Sequence, residues 1–377
     1  MRLNGLVLNE DDKGLMSYRR GQRIEYSINN NTLLIYKLSN DYNDIFIHGN
    51  IYEDYDLESL ITKDGNFAFL TINDKIVFGR DPLGTKPLYY SYNDNKLKLA
   101  SDARVLENSI EVEPGVLYAL DDRLVINNIN PLRYINKVSD TLEEIKDSIL
   151  RLLRDSIKRR VKGRSLIGLS GIDSIILAKL SDQRSAIVCA NNSYDHKYAE
   201  YIASKLNLEL DIILVNDIKN EFNIVKKILP FQDDMDLSIG IAFHMLARYA
   251  KENNYDSIVL GQLADELFGG YARYLTIDPK TLNDVLYNDV MNAYKRNFLR
   301  DEMIISQFVD LILPYTSLPL VKYTLGLDPT LKIRNDIRKF ILREVAKELN
   351  IDEDITNKEK KAIHFSTGIF KMVQRLI

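Results

Sequence analysis

The chain has few of the residue types that usually betray a protein's chemistry. Cys189 is the only cysteine in 377 residues, so no disulfide can form within the chain. A disulfide-stapled secreted scaffold is thereby excluded. Cys189 lies in the apolar run AIVCA, where a buried, inert thiol is the expected state. The four histidines, His48, His196, His244 and His364, are scattered without ligand spacing, which argues against a histidine metal centre. The net charge of −4 gives no excess of one sign, so nothing global points to nucleic acid or to an anionic membrane. The short basic clusters at 159–162 and 358–361 read as solvated faces. No segment approaches the ~18 uninterrupted apolar residues of a membrane helix. The opening MRLNGLVLNEDD holds too short an apolar run for a signal peptide, so a cytoplasmic location is expected.

What is present is the profile of a soluble globular protein, 45% apolar and 28% charged, long enough for two cores. Residues 1 to about 130 read as β-rich. The runs TLLIYKL, DIFIHGNIY, NFAFLTI, KIVFG and PLYYSY are separated by Asn, Asp and Gly turns. A layered sheet with few helices is expected there, and NPLRY at 130–134 reads as a linker. Asp140 is then expected to cap a helix whose stripe runs through Leu142, Ile145, Ile149, Leu152, Leu153, Ile157 and Val161. Beyond it strands and helices alternate: SLIGLS, IILAKLSD, AIVCAN, KYAEYIASKLN, LDIILV, IGIAFHMLARYAKEN and DSIVLG. Such alternation predicts a parallel sheet wrapped by helices, followed by a mostly helical last hundred residues.

Ligands of open parallel sheets bind at the carboxyl ends of the strands. Two strand ends stand out. One is SLIGL followed by Ser170-Gly171-Ile172-Asp173-Ser174; the other is SIVL followed by GQLADELFGGY at 261–271. Small residues free backbone amides for a phosphate, and Asp173 and Asp265 are placed to hold its Mg²⁺. On spacing alone, such a site and a pair of structural turns are equally supported.

Together GLSGIDSIILAKL, GQLADELFGGY and the earlier RDPLGTKPLYY at 80–90 resemble the asparagine synthetases, over the chain from about residue 45 to its end. GNFAF, the PG of EVEPGVLYAL and the segment 195–203 add to the resemblance. It implies an Ntn-hydrolase-like, β-rich glutaminase domain over 1–130. An ATP-pyrophosphatase domain, adenine nucleotide α-hydrolase-like, would follow over 138–377. The implied reaction is two-step: a carboxylate attacks the α-phosphate of ATP, and ammonia or an amine then displaces AMP. By motif, Ser170, Gly171 and Ser174 would hold pyrophosphate, with Gly261 beside them. Asp173 and Asp265 would hold Mg²⁺, and Val188 and Cys189 would lie near adenine. Gln262, Asp265 and the late Lys360 would serve the chemistry, with Lys361 as the alternative register.

The departures from the family pattern are as informative. The glutaminase nucleophile, a cysteine after the initiator methionine, is here Arg2, so no thioester route from glutamine is expected. The pyrophosphate loop SGGxDS is one residue shorter. In the second loop Gln262 replaces a glutamate that could accept a proton, and Leu263 adds bulk at a glycine position. The expectation is an ATP-dependent amide-forming ligase without glutamine hydrolysis, as in the related β-lactam synthetases. It would act on a small carboxylate with ammonia or an amine, bind neither nucleic acid nor membrane, and leave a homodimer open. A catalytically impaired paralogue binding nucleotide or a protein partner, and an adenylating enzyme for a sulfur carrier or peptide, are the alternatives.

Overall fold

A computed structural model of the chain describes residues 2–7, 22–28, 31–37, 45–56, 59–72, 75–93, 96–120, 123–358 and 367–377. Its internal contacts divide it into two units, Met1–Tyr134 with Met291–Glu302, and Ile135–Val290 with Met303–Ile377. The division thus falls at the end of the NPLRY segment, with a short piece of the second half counted in the first unit.

The first unit is built on an eleven-stranded sheet. In chain order its strands are β1 (Arg2–Val7), β2 (Gln22–Ile28), β3 (Asn31–Lys37), β4 (Ile45–Ile51), β5 (Gly65–Ile72), β6 (Ile76–Arg80), β7 (Tyr89–Asn93), β8 (Lys96–Ala100), β9 (Ile110–Glu111), β10 (Val116–Leu120) and β11 (Leu124–Asn128). The main path runs β11-β10-β6-β5-β4-β1-β8-β7-β9, with β3 pairing β1 and β2. Only β1 with β4 runs parallel among these pairs; the rest, such as β4 with β5, are antiparallel. Successive strand side chains point to opposite faces. In β5 this sends Phe67 and Phe69 to one apolar cluster with Ile47 and Leu60, and Ala68 and Leu70 to another with Phe78 and Tyr118. Both faces of the strand are therefore covered, which is the layering expected. Tyr90 stands in the second cluster and Tyr89 in a third, as core aromatics.

The motif at 80–90 is a knot in this unit. Fully buried Asp81 accepts from the Phe67 amide (3.0 Å), the Leu83 amide (2.9 Å), the Thr85 amide (3.0 Å) and the Thr85 hydroxyl (2.6 Å). Burial pushes its carboxyl up from the usual range, and those four donors oppose the shift. Asp81 therefore ties the turn to β5.

The second unit carries a five-stranded parallel sheet of β12 (Ser165–Gly168), β13 (Arg184–Ala190), β14 (Leu210–Val215), β15 (Ser257–Val259) and β16 (Asp310–Ile312). Its order is β14-β13-β12-β15-β16. The helices α1 (Leu142–Arg160), α2 (Ile172–Ser181), α3 (Tyr194–Leu206) and α5 (Asp234–Glu252) fall where the alternation predicted them, and α4 (Lys219–Ile228) and α6 (Ala264–Phe268) are additional. Further on, β17 (Ile333–Arg334) and β18 (Ile337–Arg338) form a hairpin that leads into α7 (Phe340–Glu348). Neither β16 nor this hairpin was legible: two or three residues are too few for a period to show.

One expectation is corrected. The cap of α1 is Thr141, not Asp140. The sequence Thr141-x-x-Glu144 is a capping box, in which the Thr141 amide donates to the Glu144 carboxylate at 2.8 Å and the Glu144 amide to the Thr141 hydroxyl at 3.4 Å. Asp140 instead accepts from the Tyr323 hydroxyl at 2.8 Å. Among the described residues no helix is long and apolar enough to cross a membrane.

Candidate active site

The sheet order places the switch point of the second unit between β12 and β15: from β12 the chain first proceeds outward through β13 and β14, then returns to β15. Ligands of open α/β sheets are held at such a crevice, and both suspected loops leave the strands there. After β12, Gly171 caps α2 in extended backbone. The Ser174 hydroxyl accepts from the Ser170 amide at 2.7 Å and the Gly171 amide at 3.2 Å, and donates to the Gly171 carbonyl at 2.9 Å. The amides that a phosphate would need are thus turned onto a side chain of the same loop. Ser170 and Asp173 line a cleft, and Ser174 is buried behind them.

After β15, Gly261 lies so close to α2 that a Cβ on it would stand 2.9 Å from the Asp173 Cβ. Gly261, Gln262 and Asp265 face the same cleft. Leu263 does not fill that cleft; its side chain is buried elsewhere, and its φ of +78° is left-handed. A leucine rarely adopts that backbone, so the loop keeps a glycine's conformation with a leucine in it. Next along the loop, buried Glu266 accepts from the Tyr271 hydroxyl at 2.6 Å. Burial, together with the charges of Glu266 and Asp265, holds the Tyr271 phenol well above its usual range.

A residue that no motif pointed to joins the two loops. The Lys339 ammonium donates to both oxygens of Asp173, at 2.6 and 2.5 Å, and stands 2.7 Å from Asp265 Oδ1. Its side chain is only 2% exposed. Lys339 is the residue between β18 and α7, with a left-handed φ of +57°. Gly270 makes room for the group: a Cβ there would meet Asp265 Oδ1 at 1.8 Å and Lys339 Cε at 2.3 Å.

The cleft, about 690 Å³, is walled by Val188 of β13 and by Phe243 and Leu246 of α5 as well as the two loops. Cys189, the next residue of β13, points to the other face and is fully buried, and burial pushes its thiol up to about 11. A second pocket, about 520 Å³, shares Ser170 and Asp195 with the first. Its wall is cationic and aromatic, from Arg338, Lys339, Lys358, Tyr194 and Tyr198. The Lys358 ammonium sits 3.3 Å from the Tyr198 ring centre, a cation–π contact. Arg343 steadies that segment by donating to the carbonyls of Thr356 and Lys358.

Asp195, in the segment 195–203 that adds to the resemblance, is buried and borders both pockets, while Ser193 caps its helix. Lys360 and its alternative Lys361 lie outside the described residues.

The donor set suits a hard divalent ion only in part. Among the described residues no group of three or more His, Cys, Asp or Glu could hold a metal. Two carboxylates from facing loops are nonetheless what Mg²⁺ commonly takes when phosphate oxygens and water complete its shell. Both are engaged by Lys339 in the chain itself.

A separate charged cluster is buried in the first unit. Glu302 takes the Lys86 ammonium at 2.5 Å and His48 Nε2 at 3.2 Å, all three buried. Burial alone would raise the Glu302 carboxyl, but the Lys86 charge and the His48 bond outweigh it and hold the group well below its usual range.

A family model described as Asparagine synthase matches residues 148–282 and 276–375, and one described as Glutamine amidotransferase domain matches 44–146. A Methanocaldococcus jannaschii protein, provisionally named a glutamine-hydrolysing asparagine synthetase, is 28% identical over 406 residues, covering 89% of this chain and 74% of its own. An asparagine synthetase domain-containing protein of Saccharomyces cerevisiae is 27% identical over 380 residues, covering 82% and 72%. Among solved structures, NMN synthetase from Francisella tularensis aligns at a TM-score of 0.31 and 14% identity, over 63% of this chain and 94% of that one. That superposition is too loose to carry an argument.

Proposed function

The chain belongs to the asparagine synthase family, and on that premise we propose that it is an ATP-dependent amide-forming ligase that does not hydrolyse glutamine. The observation that carries the reading is the meeting of Asp173 and Asp265, from the ends of two adjacent parallel strands, at the edge of a cleft. A carboxylate oxygen of the acyl substrate attacks the α-phosphorus of ATP, the bond to the bridging oxygen breaks, and pyrophosphate leaves. Ammonia or an amine then attacks the acyl carbon, AMP departs, and the nitrogen gives up its proton.

The chain's own groups suit these steps. Val188, Phe243 and Leu246 offer an apolar slot for the base. Ser170, Gly171 and Ser174 hold pyrophosphate once the Ser174 hydroxyl releases the two amides. Asp173 and Asp265 would hold Mg²⁺, which when bound offsets the charge on the pyrophosphate oxygens. The second pocket, with Arg338 and Lys358 on its wall, suits the acyl carboxylate. Gln262 lines the first cleft but cannot take a proton, so the attacking amine must lose its proton elsewhere. The only thiol is Cys189, buried in the second unit with its ionisation suppressed, so the chain carries no nucleophile for glutamine.

Pyrophosphate release that requires ATP, Mg²⁺ and a carboxylate tests the reading. Absence of nucleotide binding by calorimetry at millimolar ATP overturns it. One observation favours a second reading, a catalytically impaired paralogue that binds nucleotide or a protein partner: the loop amides are already spent on Ser174. Nucleotide binding without pyrophosphate release, whatever carboxylate is offered, would establish that reading.

A further inference from the structure

Resting on the ligase reading, we infer that the pocket lined by Tyr194, Tyr198, Arg338 and Lys358 takes an acyl substrate with a flat aromatic body, whose ring covers the Tyr198 face while the Lys358 ammonium leaves that face for the acid's carboxylate.

Three features of the pocket point to this class. The first is its charge. Arg338 gives one Nη to the Gly270 carbonyl at 2.9 Å, and the Lys358 ammonium rests on tyrosine rings. Among the described residues neither lies within ion-pair distance of a carboxylate. Two such cations on one wall are what a carboxylate would meet. The second is its aromatic wall. Tyr194 and Tyr198 stand one turn apart on α3, with ring centres 6.0 Å apart and planes 30° from one another. Tyr201 extends the row, 6.4 Å from Tyr198 at 20°. Buried Ile172 and Ile355 supply apolar lining, and the volume of about 520 Å³ lies within the roughly 300–1,000 Å³ of small-molecule sites. A small aliphatic acid would leave the ring faces uncovered. The third is the mobility left to Lys358. Its segment is tied down: Arg343 donates to the Thr356 and Lys358 carbonyls, the Tyr201 hydroxyl to Asp354, and Lys205 to Asp352 at 3.3 Å. The stem is held only by its ammonium, 3.3 Å from the Tyr198 ring centre and 5.0 Å from that of Tyr194.

The exchange keeps every group partnered. A cation–π contact at a half-exposed site is weak beside a charge-assisted hydrogen bond to a carboxylate. A lysine is a compact charge on a flexible stem, so it can turn to the acid without moving its backbone. The ring face it vacates then takes the ring of the ligand, offset-stacked or edge-to-face. An aliphatic acid offers the carboxylate but nothing flat to cover Tyr198, so it completes only half of the exchange. Ser170, which borders both this pocket and the cleft suited to nucleotide, marks where the bound acid can reach ATP.

The test is calorimetric titration of the full chain with 3-phenylpropionate, butyrate and aspartate, each with and without an ATP analogue whose α–β bridge is a methylene. The wild type is expected to bind 3-phenylpropionate about tenfold tighter than either aliphatic acid. Tyr198→Leu is expected to remove that preference and leave butyrate binding as it was. Lys358→Met is expected to weaken both monoacids by about the same factor, since it removes the cation and not the wall. Equal or tighter binding of butyrate or aspartate by the wild type overturns the inference. So does a preference that survives Tyr198→Leu, or no binding of 3-phenylpropionate at millimolar concentration under either condition. If Tyr198→Leu does not fold, Tyr194→Leu, at the exposed end of the same wall, decides by the same criterion. The two proposals fail separately, because binding is read without turnover. A wild type that prefers the aromatic acid but releases no pyrophosphate with any carboxylate removes the ligase reading alone. One that releases pyrophosphate with aliphatic acids and ignores 3-phenylpropionate removes only the substrate class.

Discussion

Each unit of this chain buries a lysine against carboxylate, and the two clusters differ in how many carboxylates the lysine joins and in what they border. In the first unit Lys86 meets one carboxylate, Glu302, with His48 as a second donor, and each side chain is sealed from solvent. In the second unit Lys339 meets two carboxylates, and all three residues border cavities. An ion pair that opens on a cleft can exchange its partners for those of a ligand. The contrast assigns a holding role to the first and a functional role to the second.

The largest effect should come from the cluster at the cleft. Asp173→Ala is expected to lower pyrophosphate release to background, a loss of about 1,000-fold or more, while the protein stays folded. Retained activity would place the chemistry elsewhere. Next is the Lys86–Glu302 pair. Lys86→Met strands the Glu302 carboxylate in a buried site and should cost about 3–5 kcal/mol in urea unfolding at pH 7, with nucleotide binding unchanged. The Glu302 carboxyl is held below its usual 4.5 in the fold. Its contribution is therefore present above that value and lost as pH falls through the acid range, so the penalty of Lys86→Met should shrink towards pH 3. A penalty that does not change with pH would mean the loss is packing alone.

A third buried lysine sharpens the comparison from the other side. Lys332 is fully buried, 3.2 Å from the Asn283 side-chain oxygen, and burial pulls its ammonium down to about 7, with Asp328 opposing the shift only weakly. Folding must then discharge it over the interval between about 7 and its ordinary 10.5, so stability rises with pH across that window. Lys332→Met should stabilise the fold by about 2 kcal/mol below pH 7, with the gain fading as pH approaches 10. A gain independent of pH would contradict the shift. The smallest effect is expected at Ser174→Ala. It removes the acceptor of two loop amides and should cost about 1 kcal/mol of stability, with ATP affinity falling because the hydroxyl no longer contacts pyrophosphate. Unchanged or tighter ATP binding would mean that the hydroxyl does not contact pyrophosphate, and would favour the impaired paralogue.

Where the chain carried a repeated local pattern, it could be read without the fold. The alternation from SLIGL to DSIVL marks strands and helices by the spacing of apolar residues, and each segment read there forms its element, while α4 (Lys219–Ile228) was not read. RDPLGTKPLYY was legible as a motif, and its reason is local too: Asp81 satisfies amides two and four residues ahead of it. Thr141 was missed although its capping-box partner Glu144 stood three residues on, a signal that was there to be used. The left-handed backbone at Leu263 could be suspected only because a leucine stood where the family has glycine; that its side chain leaves the cleft open is a matter of packing.

Lys339 could not be reached in this way. It lies 166 residues from Asp173 within the unremarkable run NDIRKF. Asp195 likewise gives no sign in sequence of bordering two pockets. The amino-acid sequence by itself determined most of the order of strands and helices, the count of a single cysteine, and the two loops at the strand ends. Those properties depend on residues near one another in the chain or on composition. Only the tertiary structure decided which charges meet, that two carboxylates share one ammonium and that Glu302 is matched by Lys86. Ion pairing depends on distances of a few ångströms between segments far apart in sequence, and no local period records them.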